Sequence, residues 1–371
     1  MSHLWLGLLS SIIIVVVCLS GSIYAFKNQI EDSFNHKHLY VSSIEHPKVQ
    51  ADTLLSLFEE KYGAATSIRI FPEPDRSILI SSFSRESPGV SAYFDPYTGD
   101  ELGRKNANVE SFFAFILDLH RFLLAGDVGK FINGTAVLIF TYMLLSGFIL
   151  WLPKKVKKLG SRMLVRWRAR FYRLNYDLHS VLGFYSFLLL FFMAVTGLYV
   201  SFTWVKNAVI IGLGGDSIII SENNTALKES LSNAFDSVLK ELSNEQQENQ
   251  QSAQWTLQGV LAQADSALPA QGAVTIYLPN ENLKEINLTQ MRHDNWLHFH
   301  VPDQIEFSSS GQLRKVSTFY DQLLHEQFKL IAKPLHTGEI MGLPSIILYF
   351  IVSTIGCSLP ITGFIIWWKK T

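Results

Sequence analysis

Four long apolar runs alternate with two long polar segments along the chain. The apolar runs cover about residues 4 to 26, 131 to 152, 179 to 204 and 344 to 368. At a rise of about 1.5 Å per residue, each run can cross roughly 30 Å of hydrocarbon as a helix. The pattern therefore predicts an α-helical membrane protein with a four-helix bundle. The first run can also be read as a signal peptide cut after Ala25, but its leading residues MSH lack the basic charge of such a peptide.

The two polar segments follow a common order of predicted elements. In the first, ADTLLSLFEEKYG at 51 to 63 has the pattern of an amphipathic helix, and SIRIF, SILISSF and VSAYFDPYTGDELGR read as strands with a turn at DPYTGD. In the second, TLQGVLAQADSALP precedes the strand-like stretches AVTIYLP, LKEINLTQM and IEFSSSGQLRKV. Both segments are therefore predicted to be small α+β domains. The Gln-rich stretch at 244 to 254 reads as a linker.

Composition and charge set the class and the orientation. The chain is 48% hydrophobic and only 17% charged, which is typical of a membrane protein. The loop at 154 to 173 holds nine Lys or Arg and no acidic residue, so we expect it to be cytoplasmic, with both termini on the same side. Residues 27 to 118 and 205 to 333 are then external. Cys18 and Cys357 lie inside apolar runs without CxxC spacing, which predicts two inert thiols.

Histidines and glycines recur at fixed offsets in the apolar runs. His3 and His179 are each followed by a glycine four residues later and another fourteen residues beyond that. His120 and His336 are each followed by glycines at +6 and +27 and by a tryptophan at +31. These offsets predict an internal duplication of one unit made of span, external domain and span. The recurring residues are Gly7, Gly21, Gly126, Gly147 and Trp151 in the first half, and Gly183, Gly197, Gly342, Gly363 and Trp367 in the second.

The four histidines suggest a cofactor. The predicted orientation places His3 and His179 at the cytoplasmic ends of their spans, and His120 and His336 at the external ends. Facing helices of a bundle can each offer one imidazole to a shared iron, so we expect two bis-histidine b-type haems. The glycines alone can also be explained as a helix packing seam. The sequence has no CxxCH or HExxH motif, so neither c-type haem nor a zincin site is predicted.

Other residues near the predicted cofactors have weaker signals. Arg121 and Lys333 are placed where haem propionates would emerge, although ordinary snorkelling explains them equally well. We find no nucleotide-binding motif, so the electron donor is expected to be a membrane quinol or a cytoplasmic reductase. Four aromatic residues can pack against haem edges or fill the bundle core: Tyr142, Phe187, Phe191 and Phe192.

The external segments resemble PepSY modules, because a helix and strands end on a strand, a D-P-x-T-G turn and a further strand. With LHTGEIMGL and the TGFIIWW ending, the whole chain resembles the PepSY-associated transmembrane family. The resemblance implies a dihaem bundle of the bacterial inner membrane that passes electrons outward to a ferric siderophore and releases Fe(II). In HDNWLHFHVPD, the residues Trp296, His298 and His300 are candidates for contact with the ferric ligand or the outer haem.

The alternative hypothesis is a haem-free membrane anchor whose PepSY modules bind peptides or regulate a protease. It accounts for the external domains but leaves the recurring histidines unexplained. The predicted domain boundaries are transmembrane helix 1 at 1–26, a PepSY domain at 27–118, an interfacial segment with helix 2 at 119–153, the basic loop at 154–173, helix 3 at 174–205, a second PepSY-like domain at 206–333 and helix 4 at 334–371.

Overall fold

The computed structural model describes residues 2–44, 47–83, 89–155, 157, 159–217, 255–269, 272–279, 285–292 and 299–369. Within these residues the α-helices are α1 Ser2–Tyr24, α2 Lys27–Phe34, α3 His36–Leu39, α4 Ala51–Tyr62, α5 Ala107–Phe122, α6 Gly126–Trp151, α7 Leu159–Arg162, α8 Phe171–Ser201, α9 Thr203–Gly212, α10 Leu257–Ala267, α11 Leu324–Thr337 and α12 Leu343–Trp368. The strands are β1 Ser67–Ile70, β2 Ile78–Ser82, β3 Val90–Phe94, β4 Glu101–Arg104, β5 Val274–Tyr277, β6 Ile286–Arg292, β7 Val301–Phe307 and β8 Leu313–Ser317.

The chain forms two compact units. The bundle unit comprises Met1–Phe34, Asn106–Lys206 and Ile331–Thr371. The sheet unit comprises Asn35–Lys105 and Asn207–Leu330.

The bundle unit contains the four predicted membrane helices. α1, α6, α8 and α12 are each 23 to 31 residues long and apolar enough to cross a membrane. α1 packs against α6 and α12, and α8 packs against the same two helices, so α1 and α8 are diagonal neighbours in a four-helix bundle. Leu144, Leu190 and Val352 form its buried centre.

Several hydroxyl groups within the spans donate to carbonyls of their own helix. Thr141 Oγ1 donates to the carbonyl of Val137 at 2.8 Å, and Ser10 Oγ donates to the carbonyl of Leu6 at 2.9 Å. This bonding removes the cost of an unsatisfied hydroxyl in an apolar surrounding. Asp177, a carboxylate just before the apolar run at 179 to 204, lies inside α8. It is buried, and it pairs with Arg173 at 3.0 Å.

The sheet unit joins both polar segments in one antiparallel sheet. Its strand order is β4-β3-β2-β1-β5-β6-β7-β8, so the first segment supplies one half and the second segment the other. The sequence predicts two α+β domains, whereas here β1 pairs with β5, with Ile68 opposite Ile276. Pairing these two strands removes two exposed sheet edges, each of which would otherwise be open to association.

One hydrophobic core serves both halves of the sheet. Leu54 and Phe58 of α4 and Leu257 of α10 pack with the inward residues of both sets of strands. The Asp52 carboxylate of α4 also accepts the backbone N–H groups of Leu257 and Gln258 at the start of α10, at 2.5 and 2.9 Å. The two segments therefore depend on each other for burial and for capping.

Candidate cofactor site

The first histidine pair comes from the diagonal helices of the bundle. His3 of α1 and His179 of α8 line one cavity of about 530 Å³, here called the first cavity. Nδ1 of His3 lies 2.9 Å from Ser146 Oγ of α6, and Nδ1 of His179 lies 2.9 Å from Thr362 Oγ1 of α12. Each imidazole is therefore held by a hydroxyl on a neighbouring helix.

The second histidine pair comes from the helices that precede α6 and α12. His120 of α5 and His336 of α11 line another cavity of about 380 Å³, here called the second cavity. Their ring centres are 6.1 Å apart. Nδ1 of His120 lies 3.2 Å from Ser20 Oγ and 3.0 Å from the carbonyl of Val17. Nδ1 of His336 is placed in the same way, 3.2 Å from Thr196 Oγ1 and 2.9 Å from the carbonyl of Met193.

Each imidazole also lies on a glycine of the helix that holds it. A methyl group added at Gly197 would lie 2.8 Å from Cε1 of His336, and one added at Gly21 would lie 3.0 Å from Cε1 of His120. The corresponding distances are 3.1 Å from Gly147 to His3 and 3.4 Å from Gly363 to His179. Gly197, Gly21 and Gly147 therefore give their imidazoles the room to approach the neighbouring helix, whereas a methyl group at Gly363 would make an ordinary contact.

The hydrogen bonds fix the tautomer of His120 and His336 and fit the same tautomer in His3 and His179. At His120 and His336 the main-chain carbonyls of Val17 and Met193 can only accept, so Nδ1 carries the proton in these two rings. A hydroxyl has one proton to donate. Each of the four hydroxyls can donate it to a carbonyl of its own helix, as Ser20 does to Val16 at 2.7 Å. A hydroxyl that donates within its own helix likewise accepts from Nδ1–H, which leaves the Nε2 lone pair for a ligand. The other three such bonds run from Ser146 to Met143 at 3.2 Å, from Thr196 to Phe192 at 2.7 Å and from Thr362 to Ser358 at 2.9 Å.

Electrostatics favour neutral rings in the second cavity. Its two histidines are on α5 and α11, which precede the membrane-spanning helices. Burial, and to a lesser extent the nearby His336, lower the pKa of His120 to about 4. Burial also lowers the pKa of His336. Both imidazoles are therefore neutral near pH 7, which is the form that binds a metal ion.

The donor set suits a metal that brings its other ligands with it. Among the described residues, no three His, Cys, Asp or Glu side chains lie close enough together to hold a metal ion. Two imidazole–metal bonds of about 2 Å, with about 1 Å from each nitrogen to its ring centre, place ring centres about 6 Å apart on a shared ion. The 6.1 Å separation of His120 and His336 matches that value. His120 and His336 therefore have the spacing of two imidazoles on one shared metal ion.

Cations line both cavities. Arg121 and Lys333, which the sequence places near a cofactor edge, line the second cavity together with Lys130. The Arg121 guanidinium lies over the Phe122 ring, 5.0 Å from its centre. Three arginines line the first cavity: Arg162, Arg166 and Arg173. Each cavity therefore has positive charge available for an anionic group.

The aromatic lining differs from the residues that the sequence suggested. Tyr142 and Phe192 are exposed, and Phe187 and Phe191 pack around the buried centre of the bundle. None of these four lines either cavity, because each points toward lipid or toward the helix contacts. The aromatic residues of the first cavity are Phe140, Phe148, Trp151, Tyr176, Phe184 and Phe364, with the rings of Trp151 and Phe184 stacked at 3.7 Å.

The spacing of the two cavities follows from α1 and α8. On α8, His179 of the first cavity is 17 residues before Thr196, which holds His336 of the second. At about 1.5 Å per residue this corresponds to roughly 25 Å along the helix axis. Ile14 and Phe140 line both cavities and so lie in the wall between them.

Sequence reasoning missed the four hydroxyl residues. Ser20, Ser146, Thr196 and Thr362 each directly precede one of the recurring glycines. Ser20 and Thr196 lie 17 residues after His3 and His179, and Ser146 and Thr362 lie 26 residues after His120 and His336. A search for Ser or Thr before the recurring glycines would have found them.

The candidate substrate residues lie in the sheet unit or outside the described residues. His300 directly precedes β7 and is half-buried. Trp296 and His298 lie outside the described residues, as does the predicted linker at 244 to 254. The role of these three candidates stays a prediction.

Comparison with known proteins identifies the family. A family model described as the PepSY-associated TM region matches residues 2–370. No curated protein matches the chain. The match extends over both polar segments and all four long helices, which confirms the resemblance seen in the sequence. The chain therefore belongs to the PepSY-associated transmembrane family.

Proposed function

We propose that this protein is a dihaem b-type electron-transfer protein of the bacterial inner membrane that reduces a periplasmic acceptor. One observation carries the proposal: two pairs of histidines line two cavities, and every ring has its Nδ1 hydrogen-bonded within the protein, so that Nε2 remains for iron. Structural or interfacial histidines do not require this arrangement four times over.

The chain's own residues have distinct tasks in this proposal. His3 and His179 hold one haem iron, and His120 and His336 hold the other. Arg121, Lys130 and Lys333 pair with the propionates in the second cavity, and Arg162 and Arg166 do so in the first. Arginine suits this task because its planar fork matches a carboxylate.

A bound bis-histidine haem supplies a one-electron redox couple. His179 at the first cavity and Thr196 at the second are separated by roughly 25 Å along α8, close to the hydrocarbon thickness of about 30 Å, which supports one site for each half of the membrane. Ile14 and Phe140 keep the wall between the sites apolar. The bundle thereby brings one redox site near each face of the membrane.

The orientation in the membrane is inferred from the charge of the loops, and the acceptor is inferred from the family resemblance. The basic loop at 154 to 173 favours a cytoplasmic location for that loop and for both termini. The sheet unit then stands in the periplasm. The acceptor is a ferric siderophore or a similar chelate, in which Fe(III) takes up one electron and leaves as Fe(II). The donor is a membrane quinol or a cytoplasmic reductase.

We further propose that the chain arose by internal duplication. The contact of His3 with Ser146 and Gly147 corresponds to the contact of His179 with Thr362 and Gly363. The same type of contact recurs in the second cavity. The strand order, with β1 next to β5 at the centre of the sheet, supports the same conclusion for the polar segments.

An absorption spectrum of the purified full-length protein tests the function. Oxidised and dithionite-reduced samples are compared, and haem is counted by pyridine haemochrome. The proposal expects sharp low-spin b-type bands and about two haems per chain, one for each pair of facing imidazoles. Preparations without haem, from cells that supply it, would overturn the proposal and favour the haem-free PepSY anchor.

A further inference from the structure

The four histidines are not held equally well. Among the described residues, Ser146 Oγ is the one hydrogen-bond partner of the His3 ring. The ring of His120 has two partners, the hydroxyl of Ser20 and the main-chain carbonyl of Val17. The carbonyl cannot be removed by a side-chain substitution, whereas the hydroxyl can.

His3 also lies at the first turn of its own helix. It is the second residue of α1, which begins at Ser2, and helix ends fray. Its ring lies on Gly147, where an added methyl group would come within 3.1 Å of Cε1. The residue directly before that glycine is Ser146, so two consecutive residues of α6 provide the hydrogen bond and the close approach.

Losing the Ser146 hydroxyl would free both the tautomer and the rotation of the His3 ring. With no acceptor at Nδ1, the proton can move to Nε2, and a ring protonated there cannot bind iron. Hydrogen-bond partners of metal-bound histidines generally fix the tautomer and raise the basicity of the ligand. His120 would keep its tautomer without Ser20, because a carbonyl accepts only from Nδ1–H.

We propose that Ser146 is the positioning residue of His3 and decides whether the first cavity retains its haem, while the equivalent Ser20 is dispensable for the second. This inference rests on the proposed function. It adds that the two sites differ in their dependence on a hydroxyl. The difference lies in the main-chain carbonyl at His120.

The test compares Ser146→Val with Ser146→Thr in the full-length protein. The two side chains have nearly the same shape, and only threonine keeps the hydroxyl. Ser146→Ala removes the hydroxyl without added volume, and Ser20→Ala makes the equivalent change at the second cavity. Thr141→Val removes a hydroxyl of α6 that donates to the Val137 carbonyl of the same helix. The readouts are haem per chain and the low-spin signals in electron paramagnetic resonance.

We expect Ser146→Val and Ser146→Ala to lose the haem of the first cavity, with affinity reduced about 10- to 100-fold. Retention of the second haem in these variants shows that the bundle is folded. Ser146→Thr, Ser20→Ala and Thr141→Val should keep both haems. The inference is overturned if Ser146→Val keeps both haems with unchanged signals, or if both hydroxyl-free variants lose both haems together. A wild-type protein without haem would instead refute the proposed function.

Discussion

Gly197 of α8 lies directly against the imidazole of His336, so that a Cβ at this position would come within 2.8 Å of Cε1. Real Cβ atoms essentially never come that close to another heavy atom. The imidazole cannot retreat without breaking its bonds to Thr196 and Met193. The position of His336 therefore requires a glycine at 197. This requirement is separate from any role of the glycine in helix packing.

Gly197→Ala should remove the haem of the second cavity by displacing His336. Alanine favours a helix over glycine by about 1 kcal/mol, so a loss of haem would report the steric conflict and not a weaker helix. Gly363→Ala is the matched control, because its added methyl group would lie at an ordinary 3.4 Å from His179. Haem per chain is measured for both. Equal haem content in the two variants would contradict the steric role of Gly197.

His179→Ala should remove the haem of the first cavity and leave that of the second. The two pairs share no ligand, and Ile14 and Phe140 separate their cavities. His120→Ala should give the complementary loss. Pyridine haemochrome and reduced-minus-oxidised spectra of both variants would show about one haem per chain, since one imidazole from each pair is gone. Retention of two haems in either variant would exclude the proposed pairing.

Arg121→Gln should lower the reduction potential of the second site. The oxidised centre carries one more positive charge than the reduced one, so a nearby guanidinium disfavours oxidation. Removing it should shift the potential downward by roughly tens of millivolts, the scale of about 1 kcal/mol for a screened unit charge. Spectroelectrochemical titration measures the shift. Arg104→Gln, on β4 of the sheet unit, is the charge-matched control, and an equal shift there would argue against a local effect.

The sequence predicted the histidines of the site but not their partners. The offset from His3 to Gly21 shows that both residues face one side of α1, because 18 residues make five turns of a helix. It does not show which neighbour each one contacts. In the structure Gly21 lies against the imidazole of His120, and Gly147 lies against the imidazole of His3. The contacts cross between helices, and a periodicity within one helix contains no information about its neighbours.

The strands were predictable and their joining was not. Ile68 and Ile276 both lie in short alternating stretches that read as strands. Their pairing across β1 and β5 connects segments more than two hundred residues apart. Nothing in an alternating pattern identifies which edge strand will pair with which, so the sequence predicted two domains where one sheet is present.

Asp52→Ala should destabilise the sheet unit through the second polar segment. The carboxylate accepts two backbone N–H groups at the start of α10, although Asp52 itself belongs to α4. Loss of a capping side chain costs about 0.5 to 2 kcal/mol, and the shared core should pass that loss to both halves of the sheet. Glu60→Ala, an exposed acidic position on the same helix, is the control.

Thermal unfolding of the full-length protein in detergent, followed by the β-sheet signal in circular dichroism, should show a lower midpoint for Asp52→Ala alone. Limited proteolysis should then cut both segments faster, because neither retains its core without the other. If only the second segment became sensitive, the two halves of the sheet would be energetically independent despite their pairing.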